Sequence, residues 1–222
     1  MGSKWITWGR RNPSAVLFAV QLLGIVVYPT MDNTGVGRAL FNAFGLVVVL
    51  LALRVVRYSP GLTWVGLLLA LPAAVLLLIQ AINTSADLVG WSSSLEAALY
   101  FYAAACMLIY MLADTQVTRD ELWAVGATFT LLGWAFAHVF VVTQYIAPGS
   151  FTAAVNPTGE RTWVELLFLS ITNLSSTGLS DVAPVKPVAR SVVMLEQLTG
   201  VGFVVMLISL VIAMRVHARR DE

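Results

Sequence analysis

The chain predicts an all-α membrane protein of six transmembrane helices, with a short re-entrant helix and loop between the fifth and the sixth. Three observations carry that expectation. Hydrophobic residues make up 59% of the 222 residues and charged residues only 11%, where a soluble domain carries roughly a quarter charged. Mean hydropathy is +0.83, so the main solvent of the folded chain is lipid. Finally, charges and turn formers cut the chain into apolar runs, most of them long enough for about 30 Å of hydrocarbon. One helical run, Thr162 to Asn173, is too short to cross and must dip in and return.

Span one is expected from Pro13 to Tyr28, with Asn12 as cap and Pro13 at the first helical position, where its missing N–H costs nothing. Lys4, Arg10 and Arg11 ahead of it look like a signal peptide. The run ends Val26-Val27-Tyr28-Pro29-Thr30, without a small-x-small cleavage site, so it reads as a retained span. Span two runs from Val36 to Val56, with Arg38 and Arg54 at its ends, where they can snorkel. Ser59-Pro60-Gly61 turns into span three, Leu62 to Ile82, where Pro72 predicts a kink. Ser93 and Glu96 read as a capping box that opens span four, which runs to Leu112. Thr118 and Glu121 read as a second box, opening span five from Leu122 to Ile146, and Pro148-Gly149 ends it. After a polar turret with Asn156-Pro157, a third box, Thr162 with Glu165, starts the short helix. Span six runs from Pro187 to Val216.

Six alternating spans put Lys4, Arg10, Arg11, Arg54, Arg57, Arg119, Arg215, Arg219 and Arg220 on one side. Asp32, Asp87, Glu160 and Asp181 fall on the other, so both termini are expected to be cytoplasmic. The arginines near that side suit anionic lipid headgroups or simple topology equally. Net charge is +1, which indicates no nucleic-acid partner. Cys106 is the single cysteine and reads as a buried inert thiol. Asn83-Thr84-Ser85 matches a glycosylation sequon, a weak signal. No phosphate-binding loop, metal-ligand cluster or nucleophile arrangement is present, so neither catalysis nor a cofactor is expected. Span four has no charge between Glu96 and Asp114, which argues against a voltage sensor with basic residues at every third position. The stretch after Arg215 is short for a ligand-sensing domain.

The segment Phe168 to Pro184 contains Ser176-Thr177-Gly178-Leu179-Ser180-Asp181. In tetrameric cation channels the corresponding stretch reads Thr-Val-Gly-Tyr-Gly-Asp. Around it stand Val117-Thr118-Arg119-Asp120-Glu121, Ile146-Ala147-Pro148-Gly149-Ser150-Phe151, Pro184-x-x-Pro187-x-Ala189-Arg190-Ser191 and Leu195-Glu196-x-x-x-Gly200. On these motifs residues 117–211 resemble the pore module of prokaryotic potassium channels, and the whole chain resembles their small six-span bacterial members. The resemblance implies a four-helix transmembrane domain at 1–116 and a pore domain at 117–222. It also implies a homotetramer in the inner membrane of a prokaryote, with lipids and permeant potassium or sodium ions as its partners.

The resemblance further implies a filter of backbone carbonyls. Ser176, Thr177 and Gly178 would hold a monovalent cation, with an outer site near Leu179 and Ser180. Gly178 keeps the first glycine of the pattern. Ser180 stands at the second, where a left-handed backbone costs a non-glycine residue about 1–2 kcal/mol. Leu179 replaces a tyrosine and can pack but not donate a hydrogen bond. Weaker potassium-over-sodium discrimination is expected, and a non-conducting loop is the alternative. The C-terminal end of the short helix favours cations, and Asp181 would ring the outer mouth or form a salt bridge behind the loop. Gly200 and Gly202 would form a gating hinge or merely allow close helix packing. Glu196 would brace the filter near Thr172, or pair with His138 to give pH sensitivity; the alternative, a hydrogen-bonded packing residue, suits His138 more than Glu196.

Overall fold

The computed structural model describes residues 12–27, 35–58, 62–82, 88–112 and 119–218. Lys4, Arg10, Arg11, Asp32, the Ser59-Pro60-Gly61 turn, the Asn83 sequon, Asp87, Asp114, Thr118 with the second capping box, Arg219 and Arg220 lie outside the described residues. So do the side chains of Arg38, Arg119 and Arg215. The elements run α1 (Pro13–Val27), α2 (Gly35–Tyr58), α3 (Thr63–Ile82), α4 (Val89–Leu112), α5 (Arg119–Ile146), β1 (Phe151–Ala153), α6 (Trp163–Leu174), β2 (Val182–Pro184) and α7 (Pro187–Ala218).

Among the described residues four stretches are long and apolar enough to cross a membrane: Thr63–Gln80, Val89–Leu112, Asp120–Ile146 and Pro187–Ser209. These lie in α3, α4, α5 and α7, where spans three to six were expected. The remaining apolar helical stretches, Pro13–Val27, Ala43–Arg54 and Trp163–Leu174, are shorter. α3 runs through Pro72 without a break. It turns Leu68, Leu71 and Val75 outward, each more than half exposed, a face that only hydrocarbon solvates without cost.

α1 begins at Pro13 as the sequence predicts, and a distant residue completes its first turn. Asp120, at the start of α5, accepts from the Ser14 amide at 3.3 Å and the Ser14 hydroxyl at 2.9 Å. A carboxylate at a helix N-terminus satisfies orphan donors and meets the positive end of the dipole. The starts of α1 and α5 are thereby tied to one end of the molecule.

The start of α4 differs from expectation. The helix opens at Val89, a turn before Ser93, and both Ser93 and Glu96 are buried inside it. The Ser92 and Ser94 hydroxyls bond back to the Val89 and Gly90 carbonyls at 3.1 and 2.7 Å. The apolar run Val89-Gly90-Trp91 continues the helix upstream, so the capping signature falls within it. α4 and α5 form the most extensive helix pair, and a single apolar cluster joins them to α1, α2, α3, α6 and α7.

β1 and β2 pair antiparallel, Phe151 with Pro184 and Ala153 with Val182. The Val185 amide adds a bond to the Ser150 carbonyl at 2.8 Å, and Lys186 Nζ donates to the Pro148 carbonyl at 2.6 Å. The chain therefore leaves for α6 and returns from it at the same ladder. A second apolar cluster built on Phe140, Phe151, Leu166 and Val182 fills the space under that ladder.

Candidate functional site

Two sets of contacts fix the start of α6. Thr162 caps it with extended φ −70° and ψ 160°, and the capping box with Glu165 is complete. The Thr162 hydroxyl accepts from the Glu165 amide at 3.3 Å, and Glu165 accepts the Thr162 amide at 2.6 Å. Arg161, only 5% exposed, adds the second set. Its guanidinium donates to Glu165 at 3.2 Å and to the carbonyls of Asn156 and Gly159 at 2.5 and 2.7 Å. Its backbone is held at both ends by the Gln144 amide group, at 2.8 and 3.0 Å. The turret is thereby folded back onto the head of α6.

The far end of α6 holds the loop. Amide N–H groups of three consecutive residues turn back to the last carbonyls of the helix: Ser176 to Asn173 at 2.9 Å, Thr177 to Thr172 at 2.9 Å and Gly178 to Thr172 at 3.0 Å. The Thr177 hydroxyl reaches the same Thr172 carbonyl at 3.1 Å. Convergent amides of this kind form a nest, which usually gathers an anion; here helix carbonyls occupy it. Every described peptide bond is trans, and a trans peptide sets its C=O opposite its N–H. The carbonyls of Ser175, Ser176 and Thr177 therefore all point away from α6. The residues that carry them are exposed in the chain.

Alternating backbone sign makes this possible. Ser176 has φ 60° and Gly178 has φ 64°. The left-handed residue without glycine is thus Ser176 and not Ser180, which is not among the described residues with positive φ. Ser180 instead turns its hydroxyl to accept from the Val182 amide at 3.0 Å. Leu179 is 77% exposed, so the packing expected of it is not supplied by its own chain. Asp181 is exposed and forms no ion pair among the described residues.

Thr172 supports the loop through its main chain; its hydroxyl bonds the Leu169 carbonyl at 3.0 Å. Glu196 is fully buried and accepts from Ser170 of α6 at 2.5 Å, one turn from the loop. The same Ser170 hydroxyl lies 2.8 Å from the Gly133 carbonyl of α5, so three helices meet at one oxygen. Glu196 does not pair with His138. The carboxylate beside His138 is Glu96 of α4, with Nδ1 to Oε2 at 3.7 Å. His138 also faces the rings of Tyr100 at 5.6 Å and Trp163 at 5.7 Å, which links α4 to the first residue of α6. Gly200 lies directly against the end of α6, where a Cβ would stand 2.2 Å from the Leu174 carbonyl oxygen. Gly202 has open space around its Cα, and α7 runs unbroken through both.

The structure thus gathers Thr172, Ser176, Thr177, Gly178, Glu196 and Gly200 around the end of α6, and leaves His138 at its head. Sequence reasoning missed Ser175, Arg161, Gln144 and the pairings of Glu96 and Asp120. Of these, only Arg161 had a local signal, being next to a capping box. No curated protein and no solved structure matches the chain. Residues 129–216 match the family model described as Ion channel. The match covers less than half of the chain but includes most of α5, all of α6 with its loop, and most of α7, and it supports a membrane-embedded ion channel of the pore-loop class.

Proposed function

We propose that four copies of this chain surround one axis and conduct monovalent cations, potassium foremost, past the loop Ser176-Thr177-Gly178-Leu179-Ser180. The observation that carries the reading is the run of carbonyls of Ser175, Ser176 and Thr177 turned away from α6, a set of oxygens suited to replacing an ion's water shell. One chain offers one such run, so a closed ring needs several copies. In the same reading α6 re-enters the membrane and Asp181 stands at the outer mouth. The first four helices lie on the flank, and both termini face the cytoplasm. Thr172 and Glu196 hold the loop from behind. Gly202 has the freedom a hinge in α7 requires, whereas Gly200 suits close packing.

Selectivity follows from the upper half of the loop. Among the described residues no bond turns the Leu179 or Ser180 peptide toward α6, so the outer site is looser than the inner ones. Potassium is therefore favoured over sodium by less than a filter with two glycines and a tyrosine would give. Reversal potentials under potassium and sodium gradients check this; a strongly potassium-selective current would contradict it. The conduction claim itself is tested in liposomes loaded with potassium. Wild-type flux should be abolished by Gly178→Val, since a β-branched residue at φ 64° is strained and distorts the loop. The exposed, unpacked Leu179 favours a second reading, a non-conducting channel-like subunit. That reading predicts no flux from wild type under either gradient.

A further inference from the structure

Below the loop, α1, α5, α6 and α7 enclose an open-sided cavity of about 420 Å³. Its walls are apolar: Phe18 and Leu22 from α1, Phe129 from α5, Ile171 from α6, Phe203 and Val204 from α7. The one hydroxyl in the lining, that of Thr130, is spent on the Gly126 carbonyl at 2.8 Å. No lining group is left to orient a polar ligand, and a cavity of this kind holds water poorly.

Helix geometry gives its depth. Leu22 and Phe129 lie about 14–15 Å along α1 and α5 from their starts, at 1.5 Å per residue. Those starts share one end of the molecule through Asp120 and Ser14. Phe203 lies about 24 Å along α7 from the ladder at the other end. The mouth therefore opens at hydrocarbon depth, beyond the reach of headgroups. A 420 Å³ space also suits an acyl chain by size, being that of about fourteen groups of water's volume at roughly 30 Å³ each.

We infer that this cavity is a binding site for one phospholipid acyl chain, held inside the subunit against the pore helix. Ile171, one of its walls, immediately precedes Thr172, whose carbonyl receives the Thr177 and Gly178 amides. The bound tail supports the last turn of α6 from the side opposite the loop. The site is independent of whether the loop conducts.

The test is photolabelling of the full chain in vesicles containing a phosphatidylcholine with a diazirine in its acyl chain. Peptides bearing Leu22, Phe129 and Val204 should carry several-fold more label than those bearing Leu68 and Leu71 of α3, which are equally apolar and more exposed. Val204→Trp and Leu22→Trp, which fill the cavity, should each lower the label on the remaining cavity peptides to the level of α3 while the protein still elutes as a folded particle. Equal labelling of cavity and α3 peptides overturns the assignment, as does label that survives both fillings. A disulfide between Leu22→Cys of one copy and Val204→Cys of a second, formed when the two single variants are mixed before reconstitution, also overturns it, by giving the cavity to the neighbouring subunit. Flux plays no part in these readouts, so failure here and failure of the channel reading are separable.

Discussion

Ser176 stands left-handed with φ 60° although the strain was expected at Ser180. The reason lies in the amides. Once Thr177 and Gly178 both donate to the Thr172 carbonyl, the residue that starts the turn must change sign, and Ser176 is that residue. Ser176→Gly should therefore be accepted with little loss of stability, while Ser176→Val should cost about 1–3 kcal/mol, since β-branched residues resist positive φ. Thermal melts in detergent check the pair. Glu196 is a second case in which one atom decides. Its carboxyl group joins α7 to Ser170, whose hydroxyl also lies against the Gly133 carbonyl. Glu196→Gln keeps an acceptor and should melt near wild type. Glu196→Leu should lose about 1–3 kcal/mol, the usual cost of leaving a buried hydrogen-bonding group without its partner, and should also alter the potassium-to-sodium permeability ratio. Equal melts and equal ratios for the two variants would remove Glu196 from the filter's support.

At the scale of elements, α6 is held at its head by Arg161 and Glu165 and at its tail by α7. Gly200 is the contact that a side chain cannot share. A Cβ there meets main-chain atoms of Leu174, with the nearest at 2.2 Å, and backbone does not rotate aside. Gly200→Ala should thus force α7 away from α6 and destabilise by about 1–3 kcal/mol, the range for overpacking. Gly202→Ala, with open space at the same helix, should stabilise slightly through helix propensity, by up to about 1 kcal/mol. Reversed melting shifts would reassign the close approach. The sequence made part of this legible. The Thr162 and Glu165 box was readable because a capping box is a contact between residues three apart. The same spacing at Ser93 and Glu96 misled, because burial beside His138 depends on a helix forty residues away. The two short strands were unreadable: three residues carry no period, and what forms them is the meeting of both ends of the α6 segment. Gly200 was weighed as hinge or packing residue, and only the distance to Leu174 separates the two.

For the whole molecule, burial is uneven in a way that asks for partners. The membrane-length stretch of α5 is 67% buried, whereas that of α7 is 22% buried. Leu195, Leu198, Val201, Val205 and Ile208 leave an apolar stripe along α7, each at least half exposed. α3 is equally bare, at 22%, and the residues it turns outward, Leu68, Leu71 and Val75, are apolar, which is what a lipid-facing flank needs. The difference between the two helices is position: α7 follows directly on the loop, so copies that bring their loops together must bring their α7 stripes together as well. Cysteine cross-linking separates the two faces. Cys106 is buried and can be replaced by Ala to give a silent background, in which Leu198→Cys and Leu71→Cys are compared in vesicles with a short bis-maleimide. If the loops share an axis, Leu198→Cys should run mostly as cross-linked dimer, the limit for one thiol per chain, while Leu71→Cys stays monomeric because α3 meets only lipid. Monomer from both positions would leave each loop alone in its own subunit, and no single loop can encircle an ion. Cross-linking through Leu71→Cys alone would put the contact between copies on the flank and turn the carbonyls of Ser175, Ser176 and Thr177 out toward lipid, where their desolvation has no compensation.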